Sequence, residues 1–448
     1  MIASLPSETQ ILICGAGPTG LAAAISLICN GINPSRLTIV DGAEKGTNTS
    51  RAIVIHAATL EALDTYGCAT KLIELGVKGT RWRFGDRTSA IFETDFSYIS
   101  SYTKFPFALV LSQTATEHIL EERLNELGVN VVRPKSVIGM QEGAGKGIDV
   151  LFESGETVKA EHVIGADGAK SAIRQLCGIH FADPDGIAFD DSVNDRVAQM
   201  VLADVSLSLP ESQDPILATG GISLTASETG MFLLVPLGKP AVGEMLYNST
   251  ETVYRLGFNV PRNLGEPPSQ PSMEYIQANF SERGPIYLSS DSQVNPRPVQ
   301  ITKVHWATRV RTHSAIADVF FKQAHGGLVF LVGDAAHIHS PAGGQGMNLG
   351  LRDASGLGPI LADYIRKTEQ QPLAEAGQED TSALARYAAE RRERGLGIIK
   401  MTKGFMGAAD FVTKPRLFNW PVWILRLVGR LPPFKSRTVW QLSGLGNR

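Results

Sequence analysis

Cysteine is scarce: Cys14, Cys29, Cys68 and Cys177 are scattered through 448 residues and form no CxxC pair. A disulfide framework and a thiolate zinc site are therefore not expected, and a reducing compartment fits. Long apolar runs are missing too, since no window reaches the roughly 18 uncharged apolar residues that a membrane span requires. Neither sign of charge dominates. The chain has 42 Lys plus Arg against 45 Asp plus Glu, a net charge of -3, which gives no case for nucleic-acid binding. Met1–Gln10 contains Glu8 and lacks both arginine and an apolar core, so no leader peptide is expected and the chain is read as cytoplasmic. What remains is ordinary globular composition, 43% hydrophobic and 19% charged, long enough for two or three domains.

Within that plain background, glycine is concentrated in particular places. QILICGAGPTGLAAAISLIC opens with a short apolar run at 10–14, suited to a buried parallel strand, and continues as an apolar helix from Leu21 to Cys29. Gly15, Gly17 and Gly20, with Pro18 and Thr19 among them, form a GxGxxG turn between strand and helix. Such a turn lets backbone approach a pyrophosphate closely and lets helix and strand pack without an intervening Cβ. RLTIVD then reads as a second strand ending in Asp41, a carboxylate placed to accept from a ribose diol. Strand, glycines, helix, strand and terminal acid together indicate a dinucleotide site. They do not distinguish NAD from FAD.

Four later segments have similar punctuation. SRAIVIHAATLEALDTYG follows the ribose acid, with Arg51 near the start of an expected helix. Residues 108–128 begin as a strand and continue as an amphipathic helix through Ile119, Leu120, Leu124 and Leu127, with Gln113 at its beginning. In 158–179 an apolar strand runs into Asp167-Gly168, with Ser171 and Arg174 on the helix beyond. Finally, LVFLVGDAAHIHSPAGGQGMNLG at 328–350 stops a strand at Gly333-Asp334 and starts a helix at about Gln345–Asn348.

In this order GAGPTG, GADGAKSAIR (165–174) and GDAAHIHSPAGGQGMNLG (333–350) resemble the three fingerprints of the group A flavoprotein monooxygenases. These are FAD- and NAD(P)H-dependent aromatic hydroxylases of the para-hydroxybenzoate hydroxylase fold. The resemblance runs from about residue 9 to about residue 400, and WQLSGLG at 440–446 is similar to the ending of the phenol- and polyketide-modifying members. Those members often continue into a thioredoxin-like domain, which this sequence lacks. The resemblance implies an α/β fold with three parts. A Rossmann-like FAD-binding domain (1–79, 108–179, 306–400) carries an inserted, mainly antiparallel β-sheet substrate domain (80–107, 180–305). A C-terminal helical segment (401–448) follows.

By the same resemblance, Gly15, Gly17, Pro18, Thr19 and Gly20 meet the FAD diphosphate and Asp41 its adenosine ribose. Arg51 and Gln113 match positions at the diphosphate and ribityl chain. Asp167 and Gly168 fall in the motif associated with FAD and the nicotinamide. Gly333 and Asp334 meet the ribityl hydroxyls, and Gly344, Gly346, Met347 and Asn348 direct backbone amides at the flavin pyrimidine edge. Two departures stand out: Asp41 replaces a more usual Glu, and the Trp-Lys usual after the Asp353-Ala354 pair is absent.

The implied activity is an FAD-dependent monooxygenase. NADPH or NADH reduces the flavin, O2 gives a C4a-hydroperoxyflavin, and oxygen passes to an activated, phenolic ring. Baeyer–Villiger oxidation or epoxidation is the alternative on the same scaffold; a redox sensor or interaction protein is the alternative of another class. His339 and Pro341 are candidates beside the flavin, while His337 is expected to be a structural hydrogen-bonding residue. Neither histidine has a Cys, Asp or Glu at ligand spacing, so no metal is expected. Phe84, Phe92, Phe105, Phe107, Phe232, Leu234, Pro236 and Tyr247, with Pro341, are the candidate pocket residues, core packing being the competing role. MFLLVPLG and AVGEMLYN read as strands, and Arg309 and Arg311 as partners for an anion or for solvent. FNWPVWILRLVGRLPPF is read as a helix packed on the flavin domain or as a homodimer contact, in preference to a membrane-surface helix.

Overall fold

The computed structural model describes residues 5–44, 52–186, 198–209, 221–227, 229–261, 264–370, 380–413 and 420–447. Its first seven-stranded sheet has a parallel centre in the order Gly327–Leu331, Thr157–Gly165, Glu8–Cys14, Leu37–Val40. Ile11, Leu12 and Ile13 are fully buried, as a parallel strand covered on both faces requires. Helices Pro18–Cys29 and Gly346–Gln370 pack together over this sheet.

The register fixes the function of this sheet. Cys14 pairs with Gly165 and with Val40, and Gly165 pairs with Leu331, so four strands end in one row. The glycine turn, Asp41, Asp167-Gly168 and Gly333-Asp334 all leave from that row. The carboxyl edge of a parallel sheet is where such folds place ligands.

A second seven-stranded sheet runs Ile301–Thr312, Ala198–Leu207, Val253–Val260, Gly230–Pro236, Ile222–Ser227, Arg81–Asp86, Ala90–Asp95. It is antiparallel except where Arg81–Asp86 joins Ile222–Ser227. Helix Met273–Arg283 covers one of its faces and closes a separate core around Phe232, Phe258 and Phe280. AVGEMLYN is not a strand. Pro240–Tyr247 is a helix with Pro240 in its first turn and Asn248 left-handed at its end. Ala, Glu, Met and Leu are good helix formers, and proline at the first helical position is favourable, so local propensity outweighs the apolar content.

The C-terminal region contributes helices Ser382–Thr413, Trp420–Val428 and Pro432–Ser443. Pro421 sits in the first turn of the second, and Pro432 and Pro433 begin the third. The prolines therefore start helices here rather than interrupt one. Among the described residues, no helix is long and apolar enough to cross a membrane.

Candidate functional site

The glycine turn is sterically fixed on the protein side and open on the other. Gly15 has φ +105°, and a Cβ there would fall 2.3 Å from Ala166 O. A Cβ on Gly20 would fall 1.9 Å from Gly15 O, whereas one on Gly17 would have no neighbour within 4 Å. Gly17 caps helix Pro18–Cys29 with extended backbone and no side-chain bond, leaving the first N–H groups directed outward. Asp41 holds this turn in place: Oδ2 accepts from the Ala16 amide at 2.7 Å and Oδ1 from the Ala43 amide at 2.7 Å. Arg133 adds a cation, donating from Nη1 to Glu121 at 3.0 Å and from Nη2 to Ala16 O at 3.5 Å. No sequence motif marked Arg133, because only the fold brings it to the turn.

The second and third motifs are joined through Arg174. Its Nη1 donates to Ala335 O and its Nη2 to Ala169 O, both at 2.8 Å, with the guanidinium 3.8 Å from the Phe181 ring centre. Asp167 Oδ2 accepts from the Ile173 amide at 3.2 Å, while Oδ1 is buried without a partner. Burial pushes this carboxyl above its ordinary value. Asp334 is exposed although Gly333 and Ala335 beside it are buried, so its carboxylate projects from the strand edge. Thr19 lies under this turn, since a Cβ on Gly333 or Gly350 would fall 2.6 or 2.5 Å from its Oγ1.

The start of helix Gly346–Gln370 is held by Asn348 and His56. Asn348 Nδ2 donates to Val54 O at 2.8 Å and Gly344 O at 2.7 Å, and its Oδ1 accepts from the His56 amide at 2.7 Å. Its side chain is therefore used within the protein, leaving the backbone of Gly346, Met347 and Asn348 as the first helical N–H groups. His56 was not marked by the sequence. Its Nε2–H donates to Gly343 O at 2.9 Å, and burial lowers its pKa to about 4. An unfolded histidine protonates near 6.5, so the unfolded chain binds the extra proton first and stability falls as pH drops from 6.5 towards 4. His56→Asn should flatten that decline by up to about 3 kcal/mol, measured by urea unfolding across the window.

His337 is structural, as expected: its Nε2 lies 2.6 Å from Asp353 Oδ2, with both residues buried. His339 donates from Nδ1 to Ser340 O at 2.8 Å and keeps a bare, buried Nε2 beside Gly346. Burial lowers its pKa to about 4, so it is a neutral acceptor. Pro341 is exposed, and its carbonyl accepts from the Gly344 amide at 3.0 Å, so the Gly344 amide closes the glycine turn instead of pointing outward as the resemblance implied. Gln113 donates to Glu117 at 2.8 Å and receives the Ala52 amide at 3.4 Å. Arg51 lies outside the described residues.

The chain's last motif adjoins this cradle. Gln345 Nε2 donates to Leu442 O at 3.1 Å and Arg352 Nη1 to Gly444 O at 3.2 Å. WQLSGLG thus backs the glycine turn.

The aromatic pocket expectation requires correction for Phe232 and Leu234, which are core residues. Phe232 and Leu234 are buried in the core closed by helix Met273–Arg283, and strand alternation puts Pro236 on the same face. Tyr247 donates to Asp204 Oδ2 at 2.6 Å, joining a buried pair in which Arg255 Nε lies 2.7 Å from Asp204 Oδ1. Phe105 and Phe107 fill the main core. Phe84 and Phe92 stack at 5.4 Å, and Phe92 meets Phe434. The face turned towards the cradle carries Trp82, Leu224, Leu233 and, by register, the expected Phe84, with Trp82 5.9 Å from the His56 ring. Arg309 and Arg311 both pair with Glu266, at 2.8 and 2.9 Å. Among the described residues, no group of three or more His, Cys, Asp or Glu is arranged to hold a metal.

The residues present fit FAD: open space over Gly17, the buried unpartnered Asp167 Oδ1, the exposed Asp334 and the N–H groups at the start of helix Gly346–Gln370 could meet its diphosphate, polyol and ring. A family model described as an FAD binding domain matches residues 8–246 and 287–400. The 6-methylpretetramide 4-monooxygenase of Streptomyces rimosus is 30% identical over 88% of this chain and 61% of its own length. Pentachlorophenol 4-monooxygenase of Sphingobium chlorophenolicum is 29% identical over 84% of the chain and 64% of its own length. The chain thus spans under two thirds of each. The p-nitrophenol 4-monooxygenase of Pseudomonas putida superposes with a TM-score of 0.74 at 19% identity, over 99% of this chain and 100% of that one.

Proposed function

The chain belongs to the FAD-binding-domain family, and from that premise we propose that it is an FAD-dependent monooxygenase hydroxylating a phenolic or polyketide-type aromatic ring at the expense of NADPH or NADH. The observation carrying this reading is the row of strand ends that brings four motif turns to one edge, opposite the apolar face of a second sheet. Relatives named as aromatic and polyketide monooxygenases support the same chemistry.

The bound flavin supplies electron transfer from the nicotinamide and oxygen activation. The chain supplies position, polarity and dryness. The turn at Gly15–Gly20 and the start of helix Pro18–Cys29 hold the diphosphate, with Arg133 adding positive charge. Asp334 grips the ribityl hydroxyls. The N–H groups of Gly346, Met347 and Asn348 stabilise negative charge at the pyrimidine edge, and His339 Nε2 offers an acceptor beside them. Trp82, Leu224 and Leu233 form the apolar wall against which a ring is placed and water excluded. Four free cysteines suit a reducing, cytoplasmic setting.

Asp334→Ala is expected to weaken FAD binding about tenfold or more, as loss of a charged hydrogen-bonding group implies; FAD titration by fluorescence measures it, and unchanged affinity would remove Asp334 from the site. The function is tested by NAD(P)H consumption in air with a panel of phenols. Substrate-stimulated consumption with an oxygenated product is the expected result. Hydrogen peroxide release that ignores every substrate would refute it.

A further inference from the structure

The C-terminal region concentrates charge that the rest of the chain balances. From 411 to 448 there are seven Lys or Arg and no Asp or Glu. With -3 overall, a segment at +7 leaves -10 on everything before it. Helix Trp420–Val428 lies in this segment, anchored by one side. Arg426 Nη2 donates to Asp86 Oδ2 at 2.7 Å and Ser89 Oγ at 2.6 Å, and just beyond the helix a Cβ on Gly429 would fall 2.5 Å from Phe92 Cβ. The opposite side faces out. Trp423, Ile424 and Leu427 are 68%, 51% and 67% exposed on one side of this helix, and Leu431, 50% exposed, follows just past its end. Tyr102, 58% exposed, is a further exposed aromatic in contact with the C-terminal region, its ring 5.1 Å from that of Trp440. Arg430 and Arg437 are exposed alongside.

We infer that this surface docks on an anionic lipid bilayer, with the stripe in the headgroup–acyl boundary and the cations among the lipid phosphates. A basic segment carrying an exposed Trp and Leu stripe is the composition that lies in a membrane interface. A second copy of the chain is a poorer occupant, because it would bring one acid-free segment carrying exposed Arg430 and Arg437 against another. Since no described helix is both long and apolar enough to cross, the attachment is peripheral and reversible.

The test uses the full chain with FAD and sedimenting vesicles. Phosphatidylcholine alone is compared with vesicles containing about a third phosphatidylglycerol. The chain should pellet with the anionic vesicles and be released by about 0.5 M salt. Arg430→Glu/Arg437→Glu and, separately, Trp423→Ser/Leu427→Ser should each lower partitioning about tenfold, while melting temperature and flavin content, checked in parallel, stay at parental values. Equal partitioning to both vesicle types, or variants that bind like the parent, would overturn the inference. So would a dimer in sedimentation velocity that dissociates on Trp423→Ser/Leu427→Ser, since the stripe would then belong to a second copy. No turnover is measured, so failure here leaves the monooxygenase reading standing.

Discussion

A Gly20→Ala chain is expected to lose cofactor and fold stability together, whereas Gly17→Ala should lose cofactor alone. The two glycines lie three residues apart in one turn but have opposite surroundings. At Gly20 a methyl would fall 1.9 Å from the carbonyl oxygen of Gly15, and neither backbone can yield, because the Gly15 amide is bonded to Val40 O in the central sheet. The cost should exceed the roughly 1–3 kcal/mol of ordinary overpacking. At Gly17 the backbone is extended, a conformation open to any residue, and the methyl would meet no protein atom within 4 Å. It would instead occupy the approach to the helix start. Apoprotein melting for Gly17→Ala should stay within about 2 °C of the parent, while FAD affinity falls at least about tenfold. Equal FAD affinity in Gly17→Ala and the parent would show that the diphosphate does not lie over this turn.

The second large effect is expected at Asp353→Ala, and it concerns folding. Burial alone would push the Asp353 carboxyl up, but Arg391 and His337 outweigh it and hold it below its ordinary value. Arg391 Nε and Asp353 Oδ1 are 2.6 Å apart, and the Tyr387 hydroxyl donates to the Asp353 carbonyl at 2.6 Å. Removing the carboxylate leaves the Arg391 guanidinium buried and uncompensated, which costs about 3–5 kcal/mol. Chemical denaturation should show the full loss at neutral pH. Because the folded carboxyl titrates below the unfolded one, its contribution is present above the unfolded value and is lost as pH falls through the folded value. The gap between parent and Asp353→Ala should therefore narrow in acid. A gap that is constant with pH would mean that the carboxylate is not the charged partner of Arg391.

Much of the site was legible in the sequence because each motif joins a strand to a turn. Apolar runs ending at Cys14, Val40, Gly165 and Leu331 announce parallel strands, and a parallel sheet brings its carboxyl ends together. What stayed hidden depended on distance or parity. Asp353 meets partners 16 and 38 residues away, and Arg133 reaches Ala16 across 117, pairings that no local pattern encodes. In MFLLVP both strand faces are apolar, so nothing in the text decides whether Phe232 or Leu233 looks towards the cradle. The structure puts Leu233 there and Phe232 in the other core. His56 is invisible to sequence reading, because a lone histidine before a helix carries no signal of its own.

The bonds from Gln345 to Leu442 and from Arg352 to Gly444 bear on how the protein is made. During synthesis the glycine turn at 343–344 leaves the ribosome about a hundred residues before the strand of chain that braces it. A nascent polypeptide can pair its central strands, yet its flavin seat lacks that brace until Gly444 has emerged. Bracing of the glycine turn thus waits on chain made about a hundred residues later, and a ribosome stalled within helix Pro432–Ser443 would display a folded sheet with an unbraced turn.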